Sequence, residues 1–149
     1  MEKLNFPPST ISLKNKENKP YIFDPIRKKW LLCTPEEWVR IHCINYLIDF
    51  LTYPASWLRI ENEIRVYQTL KRIDLLVVHP EKGNLILVEC KAPSLKIDQK
   101  VFDQIARYNL EVNSKYMMLT NGLNHYFCSM DDQNKRYSFI ETLPKFSRT

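Results

Sequence analysis

Fourteen residues separate Asp74 from the triplet Glu89-Cys90-Lys91. Two carboxylates brought together can hold one metal ion, and an ammonium beside them can offset negative charge. The stretch that carries them, KRIDLLVVHPEKGNLILVECK from Lys71 to Lys91, decides whether they meet. Ile73–Val78 and Leu85–Val88 are short apolar runs rich in Val, Ile and Leu, which favours strands over helices. Between them, His79–Asn84 carries the turn formers Pro, Gly and Asn. A β-hairpin with its turn centred between Glu81 and Lys82 sets Asp74 opposite Glu89 and Arg72 opposite Lys91. Opposed residues of an antiparallel pair have Cβ atoms about 5 Å apart on one face. Glu89 and Lys91 share a face by strand alternation, so Asp74, Glu89 and Lys91 converge. Nearly continuous apolar runs read as strands covered on both faces. Charges there are costly unless they pair or hold a metal. A plain cross-strand ion pair of Asp74 with Arg72 or Lys91 is the competing reading.

The elements around this hairpin follow from capping and periodicity. Thr34-Pro35-Glu36-Glu37 opens a helix: Thr34 caps, Pro35 suits the first helical position, and Glu37 is placed to complete a capping box. The helix is expected to reach about Leu51, burying Trp38, Ile41, Leu47, Ile48 and Leu51, and to end at Tyr53-Pro54. Trp57–Thr69 alternates apolar and charged residues as a strand with one wetter face, bulged around Asn62. Pro93 stops the strand that carries Lys91, and Asp98 caps a second helix from Gln99 to Val112. Gln104 and Tyr108 are neighbours on one face of that helix, at i and i+4. Lys115–Thr120 is a strand reached by a helical crossover, hence parallel to a strand of the meander. His125–Met130 and Arg136–Glu141 are two more strands, separated by a polar loop at Asp131–Lys135. Residues 1–20 read as a polar, loose arm with an edge strand near Thr10–Leu13. The segment 21–149 is a single domain, opening with a turn or hairpin over Tyr21–Leu32 and closing on a short basic tail from Pro144.

Composition narrows the classes. A chain of 149 residues suits one well-buried core. Its net charge of +5 favours a polyanionic partner without identifying one. No apolar run is long enough to span a membrane. Cys33, Cys43, Cys90 and Cys128 are spread out with no Cys-x-x-Cys, which argues against structural zinc and for a reducing, cytoplasmic setting. The chain has two glycines, Gly83 and Gly122, and no Gly-x-x-x-x-Gly-Lys-Ser/Thr phosphate loop, so it carries no ATPase motor of that kind. His42, His79 and His125 show no metal-ligand spacing and read as structural.

The string Arg72-Ile73-Asp74, then Val88-Glu89-Cys90-Lys91-Ala92-Pro93, then Gln104 and Tyr108, resembles the PD-(D/E)XK nucleases, and most of all the nuclease domain at the N terminus of type I restriction enzyme R subunits. Ile73 stands where the signature has Pro, a position without a catalytic atom. The resemblance covers roughly Asp24 to Phe146. It implies a restriction-endonuclease-like three-layer α/β core with a mixed central sheet, α-β-β-β-α-β plus an added C-terminal hairpin. It implies Mg²⁺, with Mn²⁺ able to substitute, held by Asp74, Glu89 and the Cys90 backbone carbonyl. An acid on the first helix, Glu37 or Glu36, is a further candidate ligand, although capping already accounts for Glu37. Lys91 would position water or offset charge, with Gln104 and Tyr108 as helpers. The implied partner is DNA, cut by a homodimer or within a restriction complex. The alternative is a non-catalytic DNA-binding or accessory module of a restriction or repair complex, since fold does not dictate function. Nothing in the residues separates DNA from RNA.

Overall fold

The computed structural model describes all residues except Tyr67, Asp132, Asn134, Lys135 and Thr149, and the backbone alone at Asn62, Ile64 and Val66. A three-stranded antiparallel sheet comes first: β1 (Leu13–Lys16), β2 (Lys19–Asp24) and β3 (Lys29–Leu32). Helix α1 (Pro35–Asn45) follows and runs into a π-helical stretch at Tyr46–Phe50. Then come β4 (Leu58–Val66), β5 (Thr69–His79), β6 (Gly83–Cys90), helix α2 (Gln99–Val112), β7 (Tyr116–Thr120), β8 (His125–Asp131) and β9 (Arg136–Ile140). The last six strands form one sheet in sequence order, antiparallel throughout except for the β6–β7 pair across the α2 crossover. This mixed α/β arrangement is compatible with a nuclease-like fold.

Alternation along the central strands divides the core. Leu75, Val77, Ile86 and Val88 pack with Ile41, Ile44 and Leu47 of the first helical segment, whereas Leu76, Leu87, Met117 and Leu119 pack with Phe102 and Ile105 of α2. Each fully buried Leu or Ile contributes about 1.5–3 kcal/mol. Both helices start as their sequences dictate. Thr34 Oγ accepts the Glu37 amide at 3.1 Å and Asp98 Oδ1 accepts the Val101 amide at 2.9 Å. Left-handed Asn113 ends α2. Among the described residues, no helix is long and apolar enough to cross a membrane.

Several expectations need correction. The capping box at α1 is half made, because the Glu37 carboxylate turns to Arg40 instead of back to Thr34. The helix ends its α-helical turns at Asn45, six residues short of Leu51, although Leu47 and Leu51 are buried as expected. The edge strand near Thr10 begins at Leu13, and the segment before it is not loose. Leu4 is buried, the Asn5 amide donates to the Gly122 carbonyl at 2.8 Å, and Trp38 Nε1 donates to the Glu2 carbonyl at 2.7 Å. Apolar Leu4 and Phe6 hold this otherwise polar stretch to the β7–β8 turn and α1. Gly122 has φ +87°, and a Cβ there would stand 2.8 Å from Leu4, so glycine is required. At the other end, the basic tail is anchored. Tyr53 Oη donates to the Pro144 carbonyl at 2.7 Å, and Phe146 packs on Trp57. Most of the polar loop expected at Asp131–Lys135 lies outside the described residues.

Candidate active site

The hairpin that should unite the acids is β5–β6. Its ladder pairs Leu75 with Val88, Leu76 with Leu87 and Val77 with Ile86, the register that sets Asp74 opposite Glu89. The turn itself reaches that register by another route. Val78 pairs with Asn84 and His79 with Gly83, so the turn centres on Glu81 and a register shift at Val77/Val78 restores the expected alignment. His79 Nδ1 accepts the Glu81 and Lys82 amides at 3.0 and 3.1 Å, which fixes the turn.

At Asp74 the regular ladder stops. Asp74 Oδ2 accepts the Cys90 amide at 2.9 Å, taking the place of a backbone acceptor on β5. In a strand the amide and carbonyl of one residue point to the same edge, so the Cys90 carbonyl lies on this edge too. Opposite on β4, Glu61 has φ +50°, a left-handed conformation that is costly for glutamate. The β4–β5 register passes unshifted from Ile60–Leu75 to Asn62–Ile73, so the bulge expected around Asn62 is instead a backbone distortion at Glu61. Ile73 packs on the α2 side although Leu75, two residues on, packs on the α1 side, so β5 twists at Asp74. The Glu61 distortion and the twist of β5 both fall where the carboxylates meet.

Glu89 is buried, with 8% of its surface exposed, and half-buried Asp74 is close enough to shift its charge. Burial, followed by the Asp74 charge, pushes Glu89 up to about 8, with Lys91 acting in the opposite direction. Burial likewise raises Asp74 against the Cys90 amide and Lys91, which favour its charged form. Lys91 therefore reaches both acids electrostatically, while its amide donates to the Thr120 carbonyl of β7 at 2.8 Å. Arg72 does not pair with Asp74. It is exposed, with NH1 4.0 Å from Glu61.

Asp74 and Cys90 open onto a cleft of about 180 Å³, closed on the far side by Glu36, Glu37 and Arg40 of α1. The Arg40 guanidinium is bound to the Glu37 carboxylate and, at 3.1 Å, to Asp24 Oδ2. Asp24 is wholly buried and also accepts Arg27 Nε at 2.8 Å, and Arg27 NH1 reaches Glu61 at 3.1 Å. Glu37 is thus committed to Arg40. Glu36 is the α1 acid whose charge reaches Asp74. Gln104 Nε2 donates to Tyr108 Oη at 3.0 Å, and Lys71 Nζ stands 5.7 Å above the Tyr108 ring. That pair lies on α2 over the Ile73 end of β5, Gln104 exposed and Tyr108 half-buried. Cys90 turns its thiol away, 3.7 Å from Cys43 Sγ in the core; that contact and burial push it well above the ordinary thiol value. Reasoning from sequence missed Asp24, Arg27, Arg40 and Glu61. The basic turn after Asp24-Pro25 was the one visible trace of that network.

The donor set suits a small divalent cation. Among the described residues no three His, Cys, Asp or Glu side chains are grouped to hold a metal. Asp74 and Glu89 with the Cys90 carbonyl offer three hard oxygens, enough for a cation such as Mg²⁺ that keeps several waters and prefers one or two carboxylates.

Residues 35–144, from the first turn of α1 to beyond β9, match the family of the type I restriction enzyme R protein N terminus. The chain belongs to that family. No curated protein matches it. The match spans every residue of the acid–lysine cluster and both helices, while β1–β3 and Asp24 lie outside it. Membership suggests a restriction-endonuclease-related function.

Proposed function

We propose that the chain is a Mg²⁺-dependent nuclease that hydrolyses DNA phosphodiesters, with a restriction-endonuclease-like three-layer core. The observation that carries this reading is the meeting of half-buried Asp74 and buried Glu89 at the end of the β5–β6 ladder, within reach of Lys91. Two carboxyls forced together at the mouth of a cleft favour a divalent cation between them. Mg²⁺ held by Asp74, Glu89 and the Cys90 carbonyl would supply Lewis-acid polarisation of the scissile phosphate and an acidified water. Lys91 orients that water and offsets charge that builds on the phosphate. Gln104 and Tyr108 steady the substrate backbone beside Lys71, and Arg72 adds a sequence-independent phosphate contact. Glu36 is the α1 carboxylate best placed to extend the metal site through water. The free cysteines fit a cytoplasmic setting. Cutting of both duplex strands calls for a second copy or partner subunits of a restriction complex.

The test is incubation of the protein with supercoiled, linear and single-stranded DNA in Mg²⁺, Mn²⁺ or EDTA, beside Lys91→Ala. Metal-dependent cutting that disappears in the variant is expected. Metal binding without cutting of any DNA form points to a missing partner or substrate, and the lack of both binding and cutting favours the accessory-module alternative.

A further inference from the structure

The register of β1–β3 sorts its residues into two unlike faces. Lys14 pairs with Tyr21, Lys16 with Lys19, Tyr21 with Leu32 and Phe23 with Trp30, which puts all of these on one face. Ile22, Asp24 and Leu31 lie on the other, against the core. The first face is outward. Lys14, Lys16 and Lys19 are exposed, Trp30 is 38% exposed, and Tyr21 and Phe23 are half-buried beside them. Lys14 Nζ sits 4.3 Å over the Trp30 ring, and Phe23 meets Trp30 edge-on at 5.3 Å. Among the described residues, no acid occupies this face. Lys16 directly opposite Lys19 is a like-charge pair that costs sheet stability, so an anionic partner would relieve it.

The platform abuts the cleft. The Phe23–Trp30 rung is next to the Asp24–Lys29 rung, where Asp24 binds Arg40, and the following turn sends Arg27 to Glu61. None of these strands lies in the segment that matches the family. Lysines interleaved with aromatic rings are the surface that tracks an unpaired strand, its bases stacking on rings and its phosphates meeting ammonium groups. Base pairs in a duplex keep their faces stacked on each other, so a duplex could use the lysines but not the rings.

We infer that the outward face of β1–β3 binds single-stranded DNA and leads it to the Asp74–Glu89 cleft. The inference deepens the nuclease reading and rests on it for DNA as the partner. The test measures fluorescence anisotropy of a labelled oligothymidine of about twelve nucleotides, within the length one such site covers. The full chain is used in EDTA, so no cleavage intervenes. Trp30→Ala should weaken binding about tenfold. Combined Lys14→Ala, Lys16→Ala and Lys19→Ala should flatten the slope of log affinity against log salt by about 2. A duplex of equal length should bind more weakly and ignore Trp30→Ala. Wild-type-like binding by both variants, or equal losses for duplex and single strand in Trp30→Ala, overturns the inference. Circular dichroism checks that each variant is folded. Variant-sensitive binding in EDTA without any cutting in Mg²⁺ keeps the platform and removes the nuclease. Cutting with variant-insensitive binding does the reverse.

Discussion

On one wall of the cleft, the buried guanidinium of Arg40 lies between the carboxylates of Asp24 and Glu37; on the other stands Asp74, with buried Glu89 and Lys91 near enough to shift its charge. Each cluster contains two acids and a base. In the first, hydrogen bonds satisfy the charges. Burial would raise Asp24, but Arg27 and then Arg40 overcome it and hold the carboxyl below its ordinary value. In the second, burial wins and both acids are raised, Glu89 also by the Asp74 charge. A compensated cluster is structural, because removing a partner leaves an unpaired buried charge. An under-compensated one invites a cation from outside, and is where strained backbone such as that of Glu61 is expected.

The comparison breaks most visibly in activity. Asp74→Ala, Glu89→Ala and Lys91→Ala should each lower the rate of plasmid nicking on the order of a thousandfold or more, while circular dichroism stays that of the native fold. Arg40→Ala should do the opposite kind of damage. Leaving Glu37 unpaired and buried Asp24 with Arg27 alone should cost about 3–5 kcal/mol of stability in urea unfolding. The same cluster predicts a pH dependence. Because the folded carboxyl of Asp24 lies below 3.8, its contribution is complete above that value and is lost as pH falls through the lower folded value. Asp24→Asn should therefore flatten the acid limb of a stability–pH curve; an unchanged limb would assign acid unfolding elsewhere. Gln104→Ala, which removes the hydrogen-bond partner of Tyr108, should slow cutting about tenfold. Smallest of all, Glu89→Gln should raise the melting temperature of the metal-free protein at neutral pH, gaining about 1 kcal/mol because a carboxyl raised to about 8 must take up a proton to be buried and an amide need not.

Much of the site was legible because its register rests on local signals. The apolar runs Ile73–Val78 and Leu85–Val88 and the turn formers between them aligned Asp74 with Glu89, even though the turn centres on Glu81 and a shift at Val77/Val78 repairs the alignment. Helix α2 was legible end to end, since Asp98 caps it and its apolar spacing is regular. What stayed hidden depends on distant partners. Asp24 meets Arg40 across sixteen positions and Arg27 meets Glu61 across thirty-four, and no periodicity encodes such pairings. The first residues read as a loose arm because polar composition outweighed Leu4 and Phe6, yet those two side chains anchor it. Glu37 has the capping-box spacing, and the arginine one turn later claims its carboxylate.

The central claim, that the Asp74–Glu89 cluster is left short of positive charge so that it can hold a cation, is tested most directly by calorimetric titration of Mg²⁺ or Mn²⁺ into the wild-type protein and into Glu89→Gln. One saturable site in the wild type, absent from a folded Glu89→Gln, is the predicted result. Equal binding by the two proteins would contradict the account and move the metal, if any, away from the β5–β6 hairpin.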